Sequence, residues 1–139
     1  THRMVRISRY LHSKSAAGEK LMKMTFDARG RVAVIRVEEA RLDASVAIAF
    51  KDRFRELAAA GTGPVILDLG RVDFLDSSGL GAVVAARKLL GPGRDLELAG
   101  LTPAVDKVMT LTRMDSVFPI HADLDAALAS HAAQARSAQ

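Results

Sequence analysis

The sequence predicts an α/β domain with a mixed sheet of four to five strands and about four helices, in the order β-β-α-β-α-β-α-β-α. Three observations predict it. Short apolar runs such as Val65-Ile66-Leu67 alternate with longer stretches whose apolar residues recur at helical spacing. The 139 residues are expected to form one domain, large enough to bury a real core. Hydrophobic residues make up 49% of the chain, yet it holds only five Phe, one Tyr and no Trp, so Ala, Val, Leu and Ile must build the core. Strands separated by helices imply crossover connections and a mostly parallel sheet, opened here by an antiparallel hairpin.

The first residues stand apart. Met4, Ile7 and Leu11 recur with Arg3, Arg6 and Arg9 between them, which predicts a short amphipathic helix over 3–13. The small and polar residues at 13–18 then predict a flexible linker. Residues 1–21 therefore read as a basic arm or a remnant of expression, 22–133 as the domain, and 134–139 as a C-terminal tail.

Within the domain, Met22, Met24 and Phe26 alternate, Ala28-Arg29-Gly30 turns, and an apolar run follows, so 21–27 and 31–38 make a hairpin. Asp43 is placed to cap a first helix over 44–60, with Val46, Phe50, Phe54 and Leu57 on one face and Gly61 as its stop. The run 65–69 reads as a strand covered on both sides. Asp76 caps a second helix over 77–90, with Leu80, Val83, Val84 and Leu90 inward. Residues 96–99 form the next strand. Thr102 and Pro103 open a third helix, whose buried side is expected to carry Val105, Val108, Met109 and Leu111. A short extended segment at 117–120 and a terminal helix capped by Asp123 complete the order.

Composition excludes several classes of function. The chain has no cysteine, so disulfides and thiolate metal sites are ruled out. No apolar run approaches the roughly 20 residues of a membrane span, and a soluble cytoplasmic protein is the expectation. The net charge of +4 suggests a nucleic acid at first sight. Its location argues otherwise. The first 24 residues hold six Lys/Arg against Glu19 alone, a balance of +5, which leaves 14 Lys/Arg and 15 Asp/Glu, or −1, for the rest. The domain thus has no electrostatic footprint for a phosphate backbone. Neither nucleic acid nor membrane is an expected partner, and the chain is expected to be a monomer or weak dimer.

The richest stretch is Asp76-Ser77-Ser78-Gly79-Leu80-Gly81, directly after a strand and at the start of a helix. A hydrolase nucleophile elbow would need Gly two places before the serine, where Leu75 and Asp76 stand instead. His121 and His131, the domain's histidines, have no evident carboxylate context in the sequence. Gly79 and Gly81 are only a fragment of a glycine-rich phosphate loop, and no Gly-Lys-Ser/Thr follows. No metal or cofactor site is expected, and no enzymatic activity. Plain helix capping would explain Asp76, Ser77 and Ser78. It would not explain two glycines in a first turn, each costing about 1 kcal/mol relative to Ala. Small residues there suggest a surface left open to another protein, with Ser77 as a phosphorylatable switch.

That motif, with the preceding Val65-Ile66-Leu67-Asp68-Leu69, Leu42-Asp43 before the first helix and Leu101-Thr102-Pro103-Ala104-Val105 after the fourth strand, resembles the STAS domain family over about residues 22–130. Within that family the resemblance is to the small bacterial anti-sigma-factor antagonists. It implies a STAS-like fold and partner switching. The unphosphorylated antagonist binds an anti-sigma factor/serine kinase of the histidine-kinase-like ATPase type, phosphorylation releases it, and a PP2C-type phosphatase resets it. Carried onto this chain, the phosphoacceptor is Ser77, with Ser78 as the fallback. The partner-binding residues are Asp43, Asp76, Ser77, Ser78, Gly79 and Leu80. The loop Glu38-Glu39-Ala40-Arg41 departs from the family pattern, where many members carry a Gly. A STAS-like scaffold or ligand sensor that is never phosphorylated is the alternative.

Overall fold

The computed structural model describes residues 5–9 and 22–137. Its centre is a six-stranded mixed sheet in the order β1 (Val5–Arg9), β2 (Met24–Arg29), β3 (Val32–Val37), β5 (Val65–Asp68), β7 (Leu96–Ala99), β8 (Ile120–His121). A separate two-stranded parallel ribbon joins β4 (Arg41–Leu42) to β6 (Phe74–Leu75). β2 runs antiparallel to both β1 and β3, and β3, β5, β7 and β8 are parallel. The hairpin closes on Gly30 and Arg31, with Gly30 at φ 63°, a conformation that costs a residue without Cβ little.

Three helices connect the parallel strands, α1 (Ala47–Ala58), α2 (Ser77–Leu90) and α3 (Pro103–Leu111), and α4 (Leu124–Ser137) follows β8. The alternation along each strand divides the core between two faces of the sheet. Met24, Phe26, Ile35, Val65, Leu67 and Leu98 pack with Phe50 and Phe54 of α1, Val83 and Ala86 of α2, and Val105 and Met109 of α3. Val32, Ile66 and Ala99 on the opposite face pack against Ala127 of α4, flanked by Leu124 and Leu128. The predicted order of the nine main elements therefore stands.

Several local expectations change. Residues 5–9 form an edge strand on β2, with Ile7 opposite Phe26, and not the amphipathic helix expected over 3–13. Val5 and Ile7 alternate with Arg6 and Ser8, and the free backbone edge of β2 rewards that period-2 reading. The linker expected at 13–18 lies outside the described residues. The last helix runs on to Ser137, into the stretch expected as a tail. Leu111 is 73% exposed and not part of the buried side of α3. The final strand is shifted to 120–121, after a short 3-10 turn at Met114–Ser116.

Helix α1 starts later than expected. Val46, not Asp43, precedes it, and no side chain caps it. Asp43 instead organises the turn that leads in, accepting the Ser45 N–H at 3.0 Å and the Ser45 hydroxyl at 2.7 Å on Oδ1. The backbone N–H of Val46 then bonds the Asp43 carbonyl.

Candidate functional site

The ribbon and two helix ends meet at one edge of the molecule. Strand β6 ends at Leu75, Asp76 follows in extended conformation, and α2 begins at Ser77. Asp76 Oδ1 accepts the backbone N–H of Gly79 at 2.9 Å, the expected cap. Its other oxygen faces the backbone N–H of Ala44 at 3.4 Å. One carboxylate therefore ties the start of α2 to the turn before α1.

Because Asp76 does the capping, the serines are left free of that work. Ser77 and Ser78 are both exposed, and neither hydroxyl makes a hydrogen bond among the described residues. Their own backbone N–H groups are the orphan donors of the helix start, at its positive end. An anion attached to the Ser77 hydroxyl would sit in solvent at a helix end that tolerates negative charge.

Gly79 has a different role from the one its smallness suggests. It is buried, and a Cβ there would overlap the carbonyl oxygen of Leu42 and crowd Leu75. The first turn of α2 thus rests on the backbone of β4, and Gly79 serves packing within the chain. It offers no surface to a partner. Gly81 is exposed, and a Cβ on it would meet nothing within 4 Å. Leu80 is half-buried and packs against the core.

The ribbon supplies a feature with no signal in the sequence. Arg41 and Phe74 lie opposite each other in its register, and the Arg41 guanidinium stands 4.1 Å from the Phe74 ring centroid. Arg41 Nε also donates to Asp43 Oδ2 at 3.2 Å. The Ser45 hydroxyl bond, together with Arg41, holds the Asp43 carboxyl below its ordinary value of 3.8, against a smaller opposing effect of desolvation. The loop with no Gly at 38–41 is accommodated because the Ala40 carbonyl accepts the N–H groups of Asp73 and Phe74 and starts the ribbon. Two-residue strands carry no periodicity, so only the Leu42 and Leu75 side chains, both buried, could have hinted at the pairing.

The remaining acidic groups near strand ends have other surroundings. Asp73 is exposed, with only its backbone engaged. Asp68 pairs with Arg36 at 3.1 Å and closes the turn at Gly70. His121 and His131 do have a carboxylate, contrary to the reading of the sequence. Both Nε2 atoms lie on Oε1 of the buried Glu97, at 2.8 and 2.9 Å. That trio belongs to the α4 face of the sheet, whereas Ser77 starts a helix on the opposite face, so no histidine among the described residues stands ready as a base for Ser77. Among the described residues, no group of three or more His, Cys, Asp or Glu is arranged to hold a metal ion, and no helix is long and apolar enough to cross a membrane.

Comparison with known proteins places this arrangement in context. A family model for the STAS domain matches residues 23–127. BtrV of Bordetella bronchiseptica, described as a candidate anti-sigma factor antagonist, is 38% identical over 79 residues, covering 54% of this chain and 68% of its own length. An anti-sigma factor antagonist from Mycobacterium paratuberculosis has a similar crystal structure, with a TM-score of 0.70 and 26% identity over 84% of this chain and 97% of that one. A second candidate antagonist, from Thermotoga maritima, aligns with a TM-score of 0.62 and 26% identity, over 70% and 86% of the two chains.

Proposed function

The chain belongs to the STAS domain family, and from that premise we propose that it is an anti-sigma factor antagonist switched by phosphorylation of Ser77. Unphosphorylated, it binds an anti-sigma factor that is also a serine kinase of the histidine-kinase-like ATPase type. Phosphorylation of Ser77 releases that partner, and a PP2C-type phosphatase restores binding. The observation that carries the reading is the Ser77 hydroxyl: exposed, unbonded, and set at the first position of α2 by a neighbouring residue that does the capping.

The physics of release is local. A phosphoserine carries about −1.5 to −2 charge at neutral pH. In the free protein that charge is solvated and steadied by the α2 N-terminus, so the fold is undisturbed. In a packed interface it must be desolvated, at a cost of several kcal/mol. Each 1.4 kcal/mol is a factor of ten in affinity, so roughly three such steps turn a tight complex into a transient one. Asp76, next to the serine, and Asp73, four residues before it, add like charge. No global conformational change is required, and the domain needs no catalytic chemistry of its own.

The test is phosphorylation in the presence of the partner kinase and ATP. Ser77→Ala is expected to bind the kinase and remain unmodified, and Ser77→Asp to bind about tenfold more weakly or worse. Equal binding by wild type and Ser77→Asp would refute the switch. A scaffold that is never modified predicts instead that protein from its native cell has no satellite of about 80 Da on Ser77.

A further inference from the structure

We propose that the affinity of the unphosphorylated protein resides in two apolar side chains beside the switch, Phe74 and Ile48, and that they dock on an uncharged apolar patch of the partner protein. This rests on the reading of Ser77 as a phosphorylated switch and adds to it what the partner surface must be. Both side chains are out of place for a core-forming residue type: Phe74 is 37% exposed and Ile48 is 70% exposed. Phe74 lies three residues before Ser77, on the ribbon strand that leads to it. Ile48 is in the first turn of α1, four residues after Ala44, whose N–H faces Asp76. The Asp76 bridge therefore ties the turn that leads into α1 to the start of α2, where Ser77 follows Asp76. Leu89 and Leu111, the other exposed large apolar side chains, stand at the far ends of α2 and α3.

Charge argues for an uncharged complement. Two of the carboxylates at the rim are already engaged within the chain, Asp43 by Arg41 and Ser45 and Asp76 by two backbone N–H groups, while Asp73 beside Phe74 is exposed to solvent. A partner need not bring cations to satisfy them. A cation opposite Ser77 would also attract the phosphate and strengthen the complex that phosphorylation has to break. An apolar patch does the reverse, since it rewards Phe74 and Ile48 and penalises a buried dianion. The Arg41 guanidinium over one side of the Phe74 ring presets that side chain, so little side-chain freedom is lost on docking.

The experiment follows the initial rate of Ser77 modification when the full chain is incubated with soluble extract of its native cell and Mg-ATP, read by intact mass and peptide mapping. Phe74→Ala and Ile48→Asp are each expected to slow modification by about fivefold or more, with Leu111→Asp, an equally exposed change away from the site, at the wild-type rate. A smaller loss in either variant, or an equal loss in Leu111→Asp, overturns the proposal. Ile48 is exposed enough that its replacement leaves the fold intact, which thermal unfolding verifies. Wild-type protein that gains no phosphate on Ser77 refutes the switch itself, a result distinct from failure of the two anchors alone.

Discussion

Gly79 of α2 and the carbonyl of Leu42 in β4 are in such close contact that there is no space for a side chain between them. The contact seats the first turn of α2 on the ribbon and so fixes where the Ser77 hydroxyl emerges. Gly79→Ala is expected to destabilise the domain by about 2 kcal/mol or more, because backbone, not a flexible side chain, would have to move. Gly81→Ala, two residues on and open to solvent, is expected to stabilise it by up to about 1 kcal/mol through helix propensity. Urea unfolding of the two variants measures both, and the opposite signs are the point of the comparison.

Ser77 predicts a near absence of effect on folding. Its side chain is exposed and bonded to nothing among the described residues. Ser77→Ala is expected to change stability by less than about 0.5 kcal/mol. Ser77→Asp should be neutral or slightly favourable, since it puts negative charge at the helix N-terminus. A differential scanning measurement in which Ser77→Asp melts markedly earlier would show that charge here strains the fold.

Asp43 gives a pH dependence. Its carboxyl titrates below the ordinary 3.8, chiefly because it accepts the Ser45 hydroxyl. A depressed carboxylate contributes its stabilisation above the unfolded pKa and loses it as the pH falls through the lower, folded one. The turn before α1 should therefore keep its Ser45 amide bond at pH 4 and lose it in stronger acid. Carboxyl chemical shifts followed by NMR should titrate below 3.8 in the wild type and move upward in Ser45→Ala.

The Glu97 trio predicts where the fold is vulnerable away from the switch. As an acceptor shared by His121 and His131, Glu97 joins β7 to β8 and to α4. Glu97→Ala leaves two imidazole donors without a partner in a largely buried place, at a cost of about 2–3 kcal/mol. Amide exchange should quicken in α4 well before it does in α2. Uniform exchange across both helices would mean that the trio holds nothing in particular.

Much of this architecture is legible in the residues, for reasons that also explain the misses. Continuous apolar runs such as β3 and β5, and the helical spacing of α2, declare themselves. So does the Asp76 cap, which needs only the residues next to it. Leu111 was expected with the buried face of α3, but six residues on from Val105 it lies about 240° around the helix. At 5–9 the apolar spacing fits a helix through Met4, Ile7 and Leu11 and a strand through Val5 and Ile7, and only the distant edge of β2 decides between them. Asp43 looks like a cap because Asp usually is one before a helical run, but here the chain takes a turn before winding. The Arg41–Phe74 stack and the burial of Gly79 both depend on a ribbon joining residues more than thirty positions apart, which no local pattern encodes.

The placement of Ser77 outside the packing divides the labour within this small domain. Changes to the interior can raise or lower its melting point without resetting how it answers ATP. Changes at the rim can retarget it to another protein without any debt to foldability. A signalling part built this way can be duplicated and rewired piece by piece.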